Sequence, residues 1–279
     1  MFNFSIKIDK NLGESLEMQI AVCNRLLINN LETDDSFFGS SLADLSGKQI
    51  ESLRRLLILN NKKIVLLDSL IDVSDTEKYA MLFRKAHLLG IENIMVDPSD
   101  SFENNGAAVK NQHVSSIAEL LKIGKSYGIG VVFENNRKSP AGSENELAAL
   151  FAMLSAENSE KVKWLDAPRL LDKQLAEYNP GMVFNPLEYA AMKKHPFFHV
   201  FYNTRLKPAI RFLRVNDGLF GDGRPTLPGQ GNAELKELVS ALLARSYKGY
   251  FSYVPYMKEN GLEDYEEIIR RFRNILLSI

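Results

Sequence analysis

Short β-rich apolar runs, each followed by a longer amphipathic stretch, recur along this chain, and that alternation commits it to parallel βαβ units. Residues 4–8 predict a first strand and residues 14–27 have helical spacing. Residues 29–41 are ambiguous and can hide a second strand. Residues 48–60 predict a helix on Ile50, Leu53, Leu56, Leu57 and Leu59. A strand follows at 63–68, a helix at 76–89 stopped by Gly90, and a strand at 91–96. Next come a helix at 113–127 stopped by Gly128, a strand at 130–134, and a helix at 143–155. Ser143, with Glu146 three residues later, opens that last helix with a capping box.

The second half is less regular. Residues 161–166 predict a strand, and 181–185 form one further short apolar run. Strands at 210–216 and 249–253 flank a helix at 232–244 capped by Asn232, and a charged helix at 262–277 closes the chain. About eight such units match a single (β/α)8 TIM barrel, a parallel eight-stranded sheet with outer helices, as one domain over residues 1–279. A doubly wound open sheet is the runner-up, but no G-x-G-x-x-G follows the first strand.

Charge narrows the function classes. Lys plus Arg number 34 and Asp plus Glu 35, so the net charge is −1, and no polybasic arm is present. Duplex nucleic acid and anionic membranes need a positive field that this balance does not supply. The single cysteine, Cys23, cannot form an intrachain disulfide or a cysteine-based zinc cage. Its neighbours Ile20, Val22, Leu26 and Leu27 read as a packed helix face. No run of 18 apolar residues occurs and the start has no apolar signal core. The expectation is a soluble, cytoplasmic protein.

In a barrel, chemistry sits at the C-terminal ends of the strands. Asp68, Asp97, Glu134 and Asp166 each end an apolar run, and Arg214, Asn216 and Asp217 end a later one. Aspartate there often caps a helix or opens a turn. Glutamate is a poor cap, so Glu134, followed by Asn135 and Asn136, reads best as a pocket carboxylate. Such acids bind a hard cation, act as acid or base, or hold sugar hydroxyls. The four histidines, His87, His113, His195 and His199, follow no apolar run. A histidine-rich metal site therefore requires the 195–199 segment to fold over the barrel mouth. Five glycines and two prolines between Gly218 and Asn232 specify a shaped loop that carries Arg224. The helix start near Asn232 to Glu234 could take an anion, with Glu234 competing. The aromatic segment 196–202 reads first as core, with a lid or a subunit contact as the alternatives.

These residues carry a resemblance. Arg214-Val215-Asn216-Asp217-Gly218, then Pro228-Gly229-Gln230-Gly231-Asn232, a helix, and Gly249-Tyr250-Phe251-Ser252 resemble the end of the xylose-isomerase-like sugar phosphate isomerase/epimerase barrels. Those often read H-x-K-D-G, a P-x-G-x-G loop, a helix, and G-x-x-S-x-E. Ala86 to Gly90 with Ile94 to Val96 looks like the family's A-x-x-L-G helix and strand, and Tyr127 to Asn135 like its Y-G-V-x-L-x-x-E-N strand. The likeness spans residues 48–256.

The resemblance implies a TIM barrel that isomerises or epimerises a sugar, sugar phosphate or polyol, with Glu134 as catalytic base. It also implies a divalent metal, Mn or Mg, on Glu134 and on an acid one strand later. Asp166 matches that acid and Asn185 is its rival. The third family ligand position holds Arg214, not His, and the fourth holds Val254, not Glu, which makes the metal site degenerate. Arg214 is then the fixed cation or the electrophile. Arg169 stands where a His often follows the acid. Asp68, Asp97, Asn136, Arg169, Arg214, Asn216, Asp217 and Arg224 are the substrate-binding candidates. The alternative is a barrel that binds a sugar-like or anionic small molecule through Arg214 without turnover. Abasic-site endonucleases share the barrel but need a histidine-rich metal cluster and a positive groove, which the chain lacks. The expected partner is a small sugar-like molecule, with neither nucleic acid nor membrane, and a homo-oligomer is left open.

Overall fold

The computed structural model describes residues 2–98, 106–137, 143–154, 167–257 and 262–279, with backbone alone at 106–113 and 167–169. Eight parallel strands close into a barrel: β1 (Asn3–Lys7), β2 (Asn30–Asp34), β3 (Lys63–Asp68), β4 (Asn93–Met95), β5 (Gly130–Glu134), β6 (Gly181–Phe184), β7 (Ile210–Arg214) and β8 (Tyr250–Tyr253). The closed order is β1-β8-β7-β6-β5-β4-β3-β2, so each strand lies beside its neighbours in sequence. The expected fold class is the observed one. The ambiguous 29–41 stretch supplies β2 and a two-residue hairpin, Ser36–Phe37 with Ser40–Ser41. The sixth strand is Gly181–Phe184; the run expected as a strand at 161–166 lies outside the described residues.

Two compact units make up the chain. One comprises Thr33–Met182. Here α2 (Gly47–Leu59) opens on a Ser46/Gln49 capping box and buries Ile50, Leu53 and Leu57. Asp75 caps α3 (Thr76–Leu89), accepting the Lys78 N–H at 3.0 Å, and Gly90 ends it at φ +70°. The helix α4 (Gly106–Tyr127) begins earlier than its periodicity suggested, and α5 (Glu144–Met153) carries the expected Ser143/Glu146 box. α6 (Ala167–Tyr178) comes from a stretch that read as irregular.

The other unit comprises Met1–Glu32 and Val183–Ile279. Here α1 (Leu16–Arg25) buries Ile20 and Cys23. α7 (Pro186–Ala191), α8 (Leu235–Ala244) and α9 (Leu262–Leu277) complete this unit's helices. Alternation along β1 and β8 separates two faces. Phe4 stacks on Tyr253 with ring centroids 5.9 Å apart, and Phe251 and Tyr253 pack on Phe272 of α9. The intervening Ser5 and Ser252 take the opposite face. They stand in register with each other and, through β8, with Arg214. One pleat earlier, Phe212 and Tyr250 pair in register and stack at 5.1 Å. This face of β7 and β8 thus carries an aromatic pair one pleat before the polar one. No helix among the described residues is long and apolar enough to cross a membrane.

Candidate functional site

The polar layer holds a buried ion pair. Arg214 ends β7 and Glu32 lies in β2, and each is at most 2% exposed. Arg214 Nη1 donates to a Glu32 carboxylate oxygen and, at 2.7 Å, to Ser252 Oγ. Ser5 Oγ donates to the other Glu32 oxygen at 2.5 Å. The two serines are small, which leaves room for the long Arg and Glu side chains between them. Their hydroxyls supply the hydrogen bonds a buried pair needs to offset desolvation. Burial, with the Glu32 charge behind it, pushes the Tyr247 phenol well up. Tyr265, raised chiefly by burial, gives its OH to the Lys7 carbonyl at 2.8 Å. Sequence reading named Arg214 as a candidate and did not name Glu32, Ser5 or Ser252 as its partners.

Two residues beyond Arg214, the chain continues the polar theme. Asn216 Nδ2 donates to Asn185 Oδ1 at 2.9 Å. The same oxygen caps α7 by accepting the Glu188 N–H at 3.4 Å. Asp217 is 1% exposed and gathers the glycine loop around itself. Its carboxylate accepts the N–H groups of Gly218 (2.8 Å), Gly229 (2.9 Å), Gly231 (3.0 Å) and Ala233 (2.9 Å). Burial raises its carboxyl above the ordinary value, against the pull of those four donors. A Cβ on Gly231 would stand 2.3 Å from Asp217 Oδ1 and 2.6 Å from the Gly218 carbonyl, so only glycine fits there. Asp217 was a substrate-binding candidate; the structure makes it the hub of its own loop. Arg224, in that loop, is exposed.

The loop's end corrects an expectation about the helix that follows. Asn232 does not cap α8, because its Oδ1 is spent on the Phe220 N–H at 3.0 Å. The cap position belongs to Glu234, held in the left-handed region at φ +52°. That conformation is costly for glutamate, and the side chain it aims explains it. Glu234 Oε2 accepts the Phe197 and Phe198 N–H groups at 2.6 and 3.2 Å, and Oε1 meets His195 Nδ1 at 2.9 Å. Glu234 therefore caps a wide helical turn, Pro196–Phe201, from outside. His195 also packs edge-on against Phe220, with centroids 4.7 Å apart. In the aromatic segment Val200 and Phe201 are core, whereas Phe198 and Tyr202 face solvent. Glu234→Ala keeps the strained backbone and loses the cap, and will lower stability by about 1–2 kcal/mol in urea unfolding.

In the Thr33–Met182 unit, Asp68 ends β3 half-buried, and its carbonyl accepts the Asp35 N–H at 3.0 Å. It caps no helix, since Asp75 does that for α3. Asp97 follows β4 and is exposed. Glu134 ends β5 half-buried, followed by the fully buried Asn135 and the half-buried Asn136. Asp166 lies outside the described residues, as does the side chain of Arg169.

The implied metal can be tested against the donors present. The strand after β5 in the closed order is β6, and the residue that follows it is Asn185. Its amide oxygen already serves Asn216 and α7. Arg214 has no lone pair to give and is bonded to Glu32. Val254, which follows β8, is an alkyl group. Among the described residues no group of three or more His, Cys, Asp and Glu is placed to hold a metal ion. The donor set after β6, β7 and β8 does not fit a divalent metal.

Comparison with known proteins bears on the fold. No family model matches the chain, and no curated protein does. Solved structures match along its whole length. A xylose isomerase domain protein from Planctomyces limnophilus shares 10% identity over 100% of this chain and 98% of its own, with a TM-score of 0.70. A D-tagatose 3-epimerase-like protein shares 17% over 99% and 97%, also at 0.70. D-psicose 3-epimerase from Clostridium cellulolyticum H10, solved with D-tagatose, shares 14% over 96% and 92%, at 0.64. The fold is that of the xylose-isomerase-like barrels.

Proposed function

We propose that this chain is a sugar isomerase or epimerase-like enzyme that moves a proton next to a carbonyl of a small sugar-like substrate, with Glu134 as the base. The observation that carries the reading is Glu134 itself: a half-buried carboxylate at the C-terminal end of β5, where barrel chemistry is built. The full-length likeness to barrels described as sugar epimerases and xylose isomerase domains supports the substrate class. Glu134 takes the proton from the carbon beside the carbonyl and returns it to the neighbouring position, or to the opposite face after the intermediate shifts. A neutral asparagine amide such as that of Asn136 suits sugar hydroxyls, which both donate and accept.

A barrel that binds an anion through Arg214 without turnover is the weaker reading. Glu32 already matches that guanidinium in a site closed to solvent, so an arriving carboxylate or phosphate would meet a balanced charge.

The test is interconversion of ketoses with aldoses, and of C3 or C4 epimers, followed chromatographically on a panel of free and phosphorylated sugars. Glu134→Gln is expected to lose about two to four orders of magnitude in turnover, the usual weight of one acid–base group, with an unchanged circular dichroism spectrum. Full activity in that variant removes Glu134 from the mechanism.

A further inference from the structure

We infer that the strand ends after β6, β7 and β8 take no divalent cation, the buried and internally balanced Arg214–Glu32 pair filling the polar layer there instead. The inference rests on the proposed reaction for its functional meaning. It rests on this chain's side chains for its physics. After β6 the donor is a neutral amide whose oxygen is already shared between Asn216 and the α7 N-terminus. After β7 it is a guanidinium, protonated at every accessible pH. A second cation beside it would be repelled at low effective dielectric. After β8 it is the isopropyl group of Val254.

The pair is built rather than incidental. Ser5, Glu32, Arg214 and Ser252 come from four consecutive strands of the closed order, β2-β1-β8-β7, and are each no more than 2% exposed. The two serines, in register with each other, each hydrogen-bond one member of the pair. To admit a metal here, Arg214 would have to leave, and Glu32 would then be a buried carboxylate without its partner.

The experiment compares the full-length protein with Glu134→Gln, both expressed with supplemented Mn2+ and Co2+. Bound metal is counted by mass spectrometry after dialysis, and thermal shifts are read on adding Mn2+, Mg2+, Co2+ and Zn2+. The expected result is the same metal content and the same absence of shift in both proteins. A stoichiometric ion, or a shift, that is present in the wild type and lost in Glu134→Gln overturns the inference. Should Glu134→Gln fail to fold, exhaustive chelation of the wild type decides, by melting temperature and by any sugar interconversion found. Indifference to chelator supports the inference; loss of either overturns it while leaving the isomerase reading standing. Absence of interconversion in metal-replete and chelated protein alike counts against that reading and leaves this inference to the metal counts.

Discussion

Replacing Arg214 by methionine will destabilise the protein by about 3–5 kcal/mol, because it leaves the Glu32 carboxylate buried without its counter-charge. Glu32 is 1% exposed and its two oxygens are held by Arg214 and Ser5. Water cannot replace the lost donor at that depth. Glu32→Leu should cost a similar amount, since it strands the guanidinium instead. The double replacement Glu32→Leu with Arg214→Met removes both charges and keeps most of the volume, and it should recover most of the loss. Urea midpoints for the three variants form a double-mutant cycle. Additive losses would show that the two side chains are not energetically coupled, and the account of the polar layer would fall with them.

Asp217→Ala will be the next most damaging change. Four backbone N–H groups converge on one carboxylate. Bonds to a charged acceptor are worth about 1.5–3 kcal/mol each, and part of the loss is recovered by water on the loop's exposed side, so about 3–5 kcal/mol is expected overall. The loop would open before the barrel does. Limited proteolysis near Gly221 to Gln230, which are largely exposed, should rise steeply while the far-ultraviolet spectrum stays native. Asp217→Asn keeps one good acceptor oxygen and should show a smaller effect. Equal protease resistance in Asp217→Ala and wild type would mean the loop is held by something other than this hub.

The barrel was legible because parallel strands buried on both faces read as apolar runs. Lys63–Asp68 and Gly130–Glu134 were found with their bounds correct. β2 stayed ambiguous within 29–41, since Asn30-Leu31-Glu32-Thr33-Asp34 is mostly polar. Its middle is nonetheless buried, and Glu32 is stabilised there by an arginine 182 residues away. No local pattern announces such a partner. The sixth strand was ambiguous because two short apolar runs, 161–166 and 181–185, compete by sequence spacing; closure of the barrel uses the second. Asp217 was visible as a polar residue at a strand end, but its partners lie up to 16 residues downstream in a glycine-rich loop whose path sequence spacing does not set. The cap of α8 was misplaced on Asn232 for a related reason. Glu234 takes that position in a conformation glutamate avoids, which its Phe197, Phe198 and His195 contacts explain.

The most direct measurement of the central claim is solvent deuterium exchange. The protein is incubated in D2O with a panel of ketoses and aldoses, and incorporation at the carbon next to the carbonyl is followed by NMR. Exchange reports proton abstraction even where interconversion is slow or its equilibrium unfavourable. The account predicts exchange above the protein-free rate for at least one sugar, abolished in a folded Glu134→Gln variant. No exchange with any sugar of the panel, or exchange that survives in Glu134→Gln, would contradict it.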